Sequence, residues 1–529
     1  MPSYPLVRSC PVLIMVSFLA VLLIAAGCTS SPATPSESSS FDSNLSEITS
    51  APRYTHASWG IIVADPATGK TIYESNADQM YVPGSTTKLF SSAAALEALG
   101  PDYRFRTPVY AMGSVDGSGK LDGNLVLVAS GDPNMGGRTL PDDTIAYTNI
   151  DHGDANALGG AVLAPTNPLA GLDNLASQVK GAGIMEVSDV AIDDRLFTTT
   201  DLGKTFVISP IIINDDQIDV IITPADPGAV PSLAMQPQTA AYHLVNKALT
   251  GNAGSPLAVS ITENPQGTLV VQGTIAADAG PVNQTFTVKT PAAFARTLFI
   301  EALIRQGIRV TAVPTGDNPS AILPAPAAYT DARKVAELIS PPFFEDVKLT
   351  LKVSQNLHAD TYVSLIAVAS NKTDFYDGML EEGKILSSLG LDTRGVSLGD
   401  GEGGANEDRI SPRSAAELLT LMTTRPYVEK YMNALPILGV DGSLATSCSP
   451  DCPARGRVHA KTGTTGTYDP LNDRGILLAK SLAGYVDTSH GKRLVFAIYV
   501  NNVPFETIDD MMAIGNDLGR IAEAIYTYY

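Results

Sequence analysis

The spacing of hydrophobic and polar positions changes along the chain and predicts regions of different secondary structure. Residues 59–65 and 71–74 are two short strand-like runs joined by a turn at 65–69, which predicts a β-hairpin. An apolar run at 89–96 ends before a Gly-Pro pair and predicts a helix. Short alternating runs with glycine-rich turns then extend from about residue 103 to 287 and predict a region of strands.

Helical spacing returns after the strand-rich region, and these changes predict how the chain is divided. Helices are predicted at 291–306, 346–353, 414–422 and 511–529, and strands at 474–486 and 493–500. A helix-rich segment, a β-rich segment and a mixed segment are typical of one domain interrupted by another. We therefore expect an α/β (α+β) domain formed by residues 53–101 and 288–529, with a β-rich insert at 102–287.

The N-terminal segment has the composition of an export signal followed by a tether. A 17-residue apolar run, Pro11 to Gly27, follows Arg8 and is too short for a typical membrane span. It leads into Ala25-Ala26-Gly27-Cys28, which resembles a bacterial lipoprotein signal at 1–27 with lipid attached to Cys28. An ordinary signal peptide and an uncleaved anchor are the alternatives. Ser, Thr, Pro and Glu dominate residues 29–52 without apolar periodicity, so 28–52 is predicted to be a disordered tether.

Composition and cysteine usage narrow the partners and the compartment. The 529 residues include 17% charged side chains and carry a formal net charge of -20, which argues against nucleic acid or an anionic membrane as a partner. Cys448 and Cys452 are the cysteines outside the N-terminal segment, and their spacing predicts a local disulfide in an oxidising compartment. Zinc is the alternative, but His459 is the one further ligand nearby. The six histidines show no paired metal spacing, so we predict no metal and no cofactor.

Three short motifs stand in a fixed order and supply the parts of a serine acyl-transfer site. They are Ser85-Thr86-Thr87-Lys88, Ser354-Gln355-Asn356 and Lys461-Thr462-Gly463. The SxxK pattern also occurs at Ser177 and Ser489, whereas SxN and KTG each occur once. Only Ser85 follows a Pro-Gly turn and precedes a helix-forming run. The local sequence therefore favours Ser85 as the serine of the SxxK motif.

The residue types in these motifs suit nucleophilic catalysis. Ser85 and Lys88 are three residues apart, so both project from one helix face. A lysine can take the serine proton only when it is neutral, and burial or a second cation such as Lys461 would lower its pKa. Backbone N–H groups of Ser85 and Thr464 would form an oxyanion hole worth about 3 kcal/mol per donor.

The remaining motif residues would handle the leaving group and the substrate. Ser354 would hand a proton to the leaving amine, and Asn356 would hold the substrate backbone and orient Lys88. The hydroxyls of Thr462 and Thr464 would bind a carboxylate. Taken singly, a serine at a helix start is usually an N-cap and KTG an ordinary strand end. All three motifs, in order and in suitable local context, favour catalysis.

With these motifs, the chain resembles the serine penicillin-recognising enzymes, and more narrowly the class C low-molecular-mass penicillin-binding proteins, the D-alanyl-D-alanine carboxypeptidase/endopeptidases. The resemblance extends from about residue 51 onward and includes 130–134, 193–197, 208–211, 400–403, 435–442 and 456–460. It implies a transpeptidase-like domain with a five-stranded antiparallel sheet flanked by helices, interrupted by the insert. It also implies that a D-Ala-D-Ala stem peptide or a β-lactam acylates Ser85, with Lys88 as base and Ser354, Asn356 and Lys461 completing the site.

One segment departs from the pattern of this family. Its DGSG motif usually continues through a serine to an arginine that helps recognise substrate. Here Glu402 replaces the serine, Asn406 falls at the arginine position, and Arg409 follows three residues later. The core chemistry is unaffected, but preference for the stem-peptide side chain is left open.

The sequence therefore predicts an exported, lipid-anchored serine D-alanyl-D-alanine carboxypeptidase that acts on peptidoglycan and binds penicillin, with endopeptidase activity on cross-links as a second expectation. A β-lactamase is one alternative, although it needs an additional base and lacks so long an insert. A non-catalytic penicillin-recognising protein and an esterase or D-aminopeptidase are the others. Rates of acylation and deacylation and a substrate panel separate these alternatives.

Overall fold

The computed structural model describes residues 37–265 and 267–529. The expected signal peptide, Cys28 and the first part of the expected tether lie outside the described residues. The helices are α1 Glu37–Thr49, α2 Lys88–Leu99, α3 Ala155–Leu158, α4 Ala170–Gly181, α5 Pro291–Arg305, α6 Phe343–Val353, α7 Asn356–Ala369, α8 Phe375–Ser388, α9 Pro412–Met422, α10 Val428–Ala434 and α11 Ile508–Tyr528. The strands are β1 Ser58–Asp65, β2 Lys70–Ser75, β3 Arg106–Val115, β4 Leu121–Val128, β5 Glu186–Val187, β6 Asp189–Asp193, β7 Gln217–Thr223, β8 Ser232–Gln236, β9 His243–Gly251, β10 Ala258–Glu263, β11 Thr268–Ala276, β12 Val282–Thr287, β13 Arg309–Val310, β14 Lys334–Ile339, β15 Val396–Ser397, β16 Arg409–Ile410, β17 Val458–Asp469, β18 Arg474–Asp487, β19 Arg493–Asn501 and β20 Val503–Phe505.

An antiparallel sheet in the order β17-β18-β19-β1-β2 forms the centre of the catalytic domain. The short strand β20 pairs with the beginning of β18, at residues 475–477. Strand β19 is apolar on both faces because the sheet is covered on both sides. Phe496 and Ile498 face α1 and α11, whereas Val495 and Ala497 face a cluster formed by α2 and α6–α10. The expected antiparallel sheet flanked by helices is therefore confirmed.

The segment before the catalytic domain is more ordered than the sequence indicated. The prediction of a disordered tether is wrong for residues 37–49, which form α1. Phe41, Leu45 and Ile48 follow helical spacing and are buried in the core that α1 shares with α11. Within the described residues, no helix is long and apolar enough to cross a membrane.

The insert has its own core, and its second boundary lies later than expected. Four strands pair in the order β14-β3-β4-β6. The edge strand β14, at Lys334–Ile339, pairs with β3, which begins at Arg106. Helix α5 buries Leu298 and Phe299 in this same core rather than in the catalytic domain. The helix at 291 was correctly predicted, but its assignment to the catalytic domain is wrong; the insert continues to about residue 339.

Candidate active site

The serine of the first motif lies in a turn that two neighbouring strands fix in place. Residues Gly84–Thr87 form a 3-10 turn that leads directly into α2 at Lys88. The Thr86 and Ser481 hydroxyls donate hydrogen bonds to the Pro83 carbonyl at 2.8 and 2.6 Å. Ser85 is consequently held at the front of α2 and stays partly accessible, while Lys88 behind it is fully buried.

Lys88 donates hydrogen bonds that connect the separate motifs. Its Nζ lies 2.9 Å from Ser85 Oγ, 2.7 Å from Asn356 Oδ1 and 2.9 Å from the Glu402 carbonyl. Burial lowers the pKa of Lys88 below its ordinary value. This geometry lets a neutral Lys88 take the hydroxyl proton of Ser85 directly.

A cluster of charged side chains next to Lys88 modifies its pKa and was not predicted from the sequence. Lys204, which the insert contributes, lies 2.6 Å from Asp360, 2.7 Å from Asp400 and 2.8 Å from Glu402. The three carboxylates raise the pKa of Lys88, and Lys204 lowers it. The sequence analysis expected Lys461 to be the cation that lowers the pKa of Lys88. In the structure, Lys204 is the cation with this effect.

Lys461 and Ser354 form the second half of the site. Ser354 ends α6 in the left-handed conformation, at φ 66°, and its Oγ accepts a hydrogen bond from Lys461 Nζ at 2.9 Å. Burial and then Lys88 lower the pKa of Lys461 well below its ordinary value. Because Ser354 accepts from Lys461, its own hydroxyl proton is free to be donated towards the cleft.

The KTG strand lies directly against the serine turn. A methyl group built on Gly84, whose φ is +53°, would come within 2.8 Å of the Thr464 backbone nitrogen, and one on Gly463 within 3.1 Å of the Ser85 nitrogen. Glycine at both positions therefore allows the strand and the turn to approach. The two nitrogens expected to form an oxyanion hole border this contact.

The two threonines of the KTG strand that are expected to bind a carboxylate each have a polar neighbour. Thr462 Oγ1 lies 2.6 Å from Ser443 Oγ, and Thr464 Oγ1 accepts a hydrogen bond from Lys480 Nζ at 2.9 Å. Thr464 is exposed, so its side chain is open to a ligand.

The segment that departs from the family pattern is folded back on itself. Arg409 donates hydrogen bonds to the carbonyls of Asn406 and Asp408 at 3.2 and 2.6 Å. Asn406 is exposed.

Elsewhere in this domain, Cys448 and Cys452 form the disulfide that their spacing predicted, with a Cα–Cα distance of 5.8 Å.

A small cavity of about 50 Å³ adjoins the site where the insert meets the catalytic domain. Ser354, Asn356 and Phe206 line it, as does Asp154 from the insert. Burial raises the pKa of Asp154 to about 6, and Lys88 opposes this shift. The insert therefore contributes an ionisable group to the rim of the cleft.

The insert also supplies three side chains whose donor atoms lie close enough together to hold a metal ion. Asp151, His152 and Asp215 form this group. Arg138, however, is 2.8 Å from Asp151 and 2.5 Å from Asp215, so both carboxylates already have a cationic partner. The group functions as a buried ion-pair network in this geometry.

The fold and the serine–lysine arrangement define a transpeptidase-like enzyme with an inserted domain, and comparison with known proteins identifies its family. The family model for the D-Ala-D-Ala carboxypeptidase 3 (S13) family matches residues 41–518, and the chain belongs to that family. The expected activity is confirmed: this is a serine-type D-alanyl-D-alanine carboxypeptidase.

Individual relatives agree with this placement. A D-alanyl-D-alanine carboxypeptidase of Actinomadura sp. (strain R39) is 28% identical over 94% of this chain and 87% of its own. The D-alanyl-D-alanine carboxypeptidase DacB of Haemophilus influenzae is 22% identical over 84% of this chain and 85% of its own. The crystal structure of penicillin binding protein 4 from H. influenzae shares the fold, with a TM-score of 0.67 at 20% identity over 90% of this chain and 98% of that one.

Proposed function

We propose that Ser85 is the nucleophile of this carboxypeptidase and Lys88 its general base. The observation that supports this most strongly is the 2.9 Å hydrogen bond between Ser85 Oγ and the Nζ of a fully buried lysine. Ser85 Oγ bonds to the carbonyl carbon of the penultimate D-Ala while Lys88 takes its proton. The developing oxyanion would be met by the N–H groups of Ser85 and Thr464.

The leaving group then departs as free D-Ala. The C–N bond breaks, and the proton returns to the leaving nitrogen through Ser354, whose oxygen Lys461 holds by donating to it. Asn356 orients Lys88 through its side-chain oxygen. Water attacks the acyl-serine in the second half of the reaction, with Lys88 again as base, and regenerates the Ser85 hydroxyl.

The same acyl-serine chemistry would also give endopeptidase activity on the cross-links of peptidoglycan. The amide bond of a D-alanyl cross-link also follows a D-Ala carbonyl, so the residues above can cleave it with a different leaving amine. Thr464 and Asn356 are exposed, so the cleft is open to solvent next to the motif residues and can admit a larger amine. β-Lactams would acylate Ser85 in the same way, as inhibitors.

We also propose that the protein is exported and anchored through lipid on Cys28. The apolar run at 11–27 and the Ala-Gly-Cys sequence support this, and the Cys448–Cys452 disulfide is typical of an oxidising compartment. Incorporation of labelled fatty acid, lost in Cys28→Ala, would support the anchor; equal labelling of the variant would contradict it.

Release of D-Ala from a diacylated tripeptide that ends in D-Ala-D-Ala tests the residue assignment. We expect Ser85→Ala to abolish release and Lys88→Met to lower kcat by at least about a thousandfold, because nucleophile and base act as a unit. Ser177→Ala, in the SxxK copy on α4, is the matched control and should retain full activity. Unchanged turnover in Ser85→Ala would contradict the assignment.

A further inference from the structure

A lysine next to the KTG strand has no part in the mechanism above. Lys480 on β18 pairs with Thr464 on β17 in the antiparallel register, so their side chains lie on one face of the sheet. Lys480 Nζ donates to Thr464 Oγ1 at 2.9 Å. Across the described ranges 37–265 and 267–529, this threonine is the one hydrogen-bond partner of the Lys480 side chain, which forms no ion pair there.

This ammonium group is desolvated without an anion to compensate it. Lys480 is partly buried, and a methyl group built on Gly515 of α11 would come within 3.4 Å of its Nζ. Burial lowers the pKa of Lys480 to about 8. A cation that loses water without gaining an anionic partner is unfavourable, so an anion that bound here would be stabilised.

The position of Lys480 relative to Ser85 suits the carboxylate of a substrate. The Thr464 nitrogen lies against the Gly84 backbone, next to the serine that would attack the penultimate D-Ala. The carboxylate of the leaving D-Ala lies one residue further on, about 3.8 Å along the backbone. This distance brings it to the Thr464 position on the KTG strand, where the Thr464 hydroxyl and the Lys480 ammonium meet.

We infer that Lys480 is a specificity-determining residue that, together with Thr464, binds the free C-terminal carboxylate of the substrate. This inference rests on the proposed role of the KTG strand. Since Thr464 Oγ1 accepts from Lys480, its own hydroxyl proton is free to be donated to the ligand. Hydroxyl groups alone discriminate weakly between a carboxylate and an amide, whereas an ammonium group favours the charged form.

Two substrates and four variants test the inference. The substrates are the diacylated tripeptide ending in D-Ala-D-Ala and the same peptide with a C-terminal amide, and the readout is the ratio of their kcat/KM values. This ratio does not depend on the fraction of folded enzyme. The variants of the full chain are Lys480→Met, Lys480→Arg, Thr464→Val and, as a control with the same chemical change at an exposed turn, Lys492→Met.

We expect Lys480→Met to reduce the preference for the free acid by about ten- to a hundredfold, mainly through KM, because a charge-assisted hydrogen bond is lost. Lys480→Arg should keep most of the preference, and Lys492→Met all of it. An unchanged ratio in Lys480→Met, with a reduced ratio in Thr464→Val, would overturn the inference alone. Unchanged ratios in both variants would overturn the proposed docking role of the KTG strand as well.

Discussion

At the reacting serine, the chemistry depends on how a fully buried lysine loses its proton. Lys88 makes three hydrogen bonds, to a hydroxyl, a side-chain amide and a backbone carbonyl, so its position is fixed in either charge state. Burial favours the neutral form, and the carboxylates of the neighbouring cluster favour the charged one. The balance between them decides the pH at which Ser85 can be activated.

Changing that balance should move the pH profile of acylation in opposite directions. Glu402→Gln removes a carboxylate that raises the pKa of Lys88, so the acid limb should shift to lower pH. Lys204→Met removes a cation that lowers this pKa, so the limb should shift to higher pH. The measurement is the rate of acylation by benzylpenicillin from about pH 5 to 10.

The control for this pair of variants is Lys247→Met, an exposed lysine of the insert on β9. It makes the same chemical change as Lys204→Met away from the cluster and should leave the profile in place. Shifts of Glu402→Gln and Lys204→Met in the same direction would contradict the electrostatic account of Lys88.

The sequence predicted part of this arrangement and could not predict the rest. The order of the three motifs selected Ser85, Lys88, Ser354, Asn356 and Lys461, which the structure brings into two adjoining hydrogen-bonded groups. Lys204 is more than a hundred and fifty residues from Asp360, and no spacing rule connects them. Glu402 was noticed as a departure from the family, but its contact with Lys204 depends on how the insert docks.

At the level of single elements, α1 shows how composition can hide an amphipathic helix. Apolar residues at 41, 45 and 48 have helical spacing, but they stand among serines and acidic residues that are typical of a tether. The Phe41 ring lies 5.1 Å from those of Tyr73 and Tyr529, on β2 and at the C-terminus. This helix therefore joins the first and last parts of the catalytic domain.

Truncation of the Phe41 side chain should destabilise the protein without changing its chemistry. We expect Phe41→Ala to lower the free energy of unfolding by about 3–5 kcal/mol, because a fully buried aromatic ring is replaced by a cavity. Ser43→Ala, at an exposed position of the same helix, should change it little. Denaturant unfolding measures both, and equal stability of the two variants would show that α1 does not pack as described.

Helix α5 was predicted from its sequence pattern, but the core that it joins was not. Its apolar spacing correctly predicted a helix, but spacing does not reveal which core the apolar face will join. Its buried side chains pack against the insert, and β14 completes the insert sheet after it. The boundary therefore had to come from tertiary contacts.

At the scale of the whole molecule, the insert and the catalytic domain are joined by buried charges. His358 on α7 lies 2.9 Å from Asp346 on α6 and 3.0 Å from Asp215 of the insert. Although burial opposes the charged form, these carboxylates raise the pKa of His358 from 6.5 to about 10. The imidazolium thus bridges the two parts of the chain beneath the active site.

This bridge makes the stability of the protein depend on pH in a defined direction. A histidine whose pKa is raised on folding contributes its full stability below about pH 6.5, and loses it as the pH rises towards 10. His358→Gln should cost about 3 kcal/mol at pH 6.5, and this cost should shrink as the pH approaches 10. Unfolding of both proteins across this range tests the prediction; a cost that stays constant with pH would contradict it.

The central claim is that Ser85 becomes acylated, and intact mass after incubation with benzylpenicillin tests it most directly. The account predicts one stable adduct with the mass of the drug, and no adduct in Ser85→Ala. An adduct that persists in Ser85→Ala would place the nucleophile elsewhere. The absence of an adduct, with rapid loss of the drug, would indicate a β-lactamase; its absence with the drug intact would contradict a catalytic site built on Ser85 and Lys88.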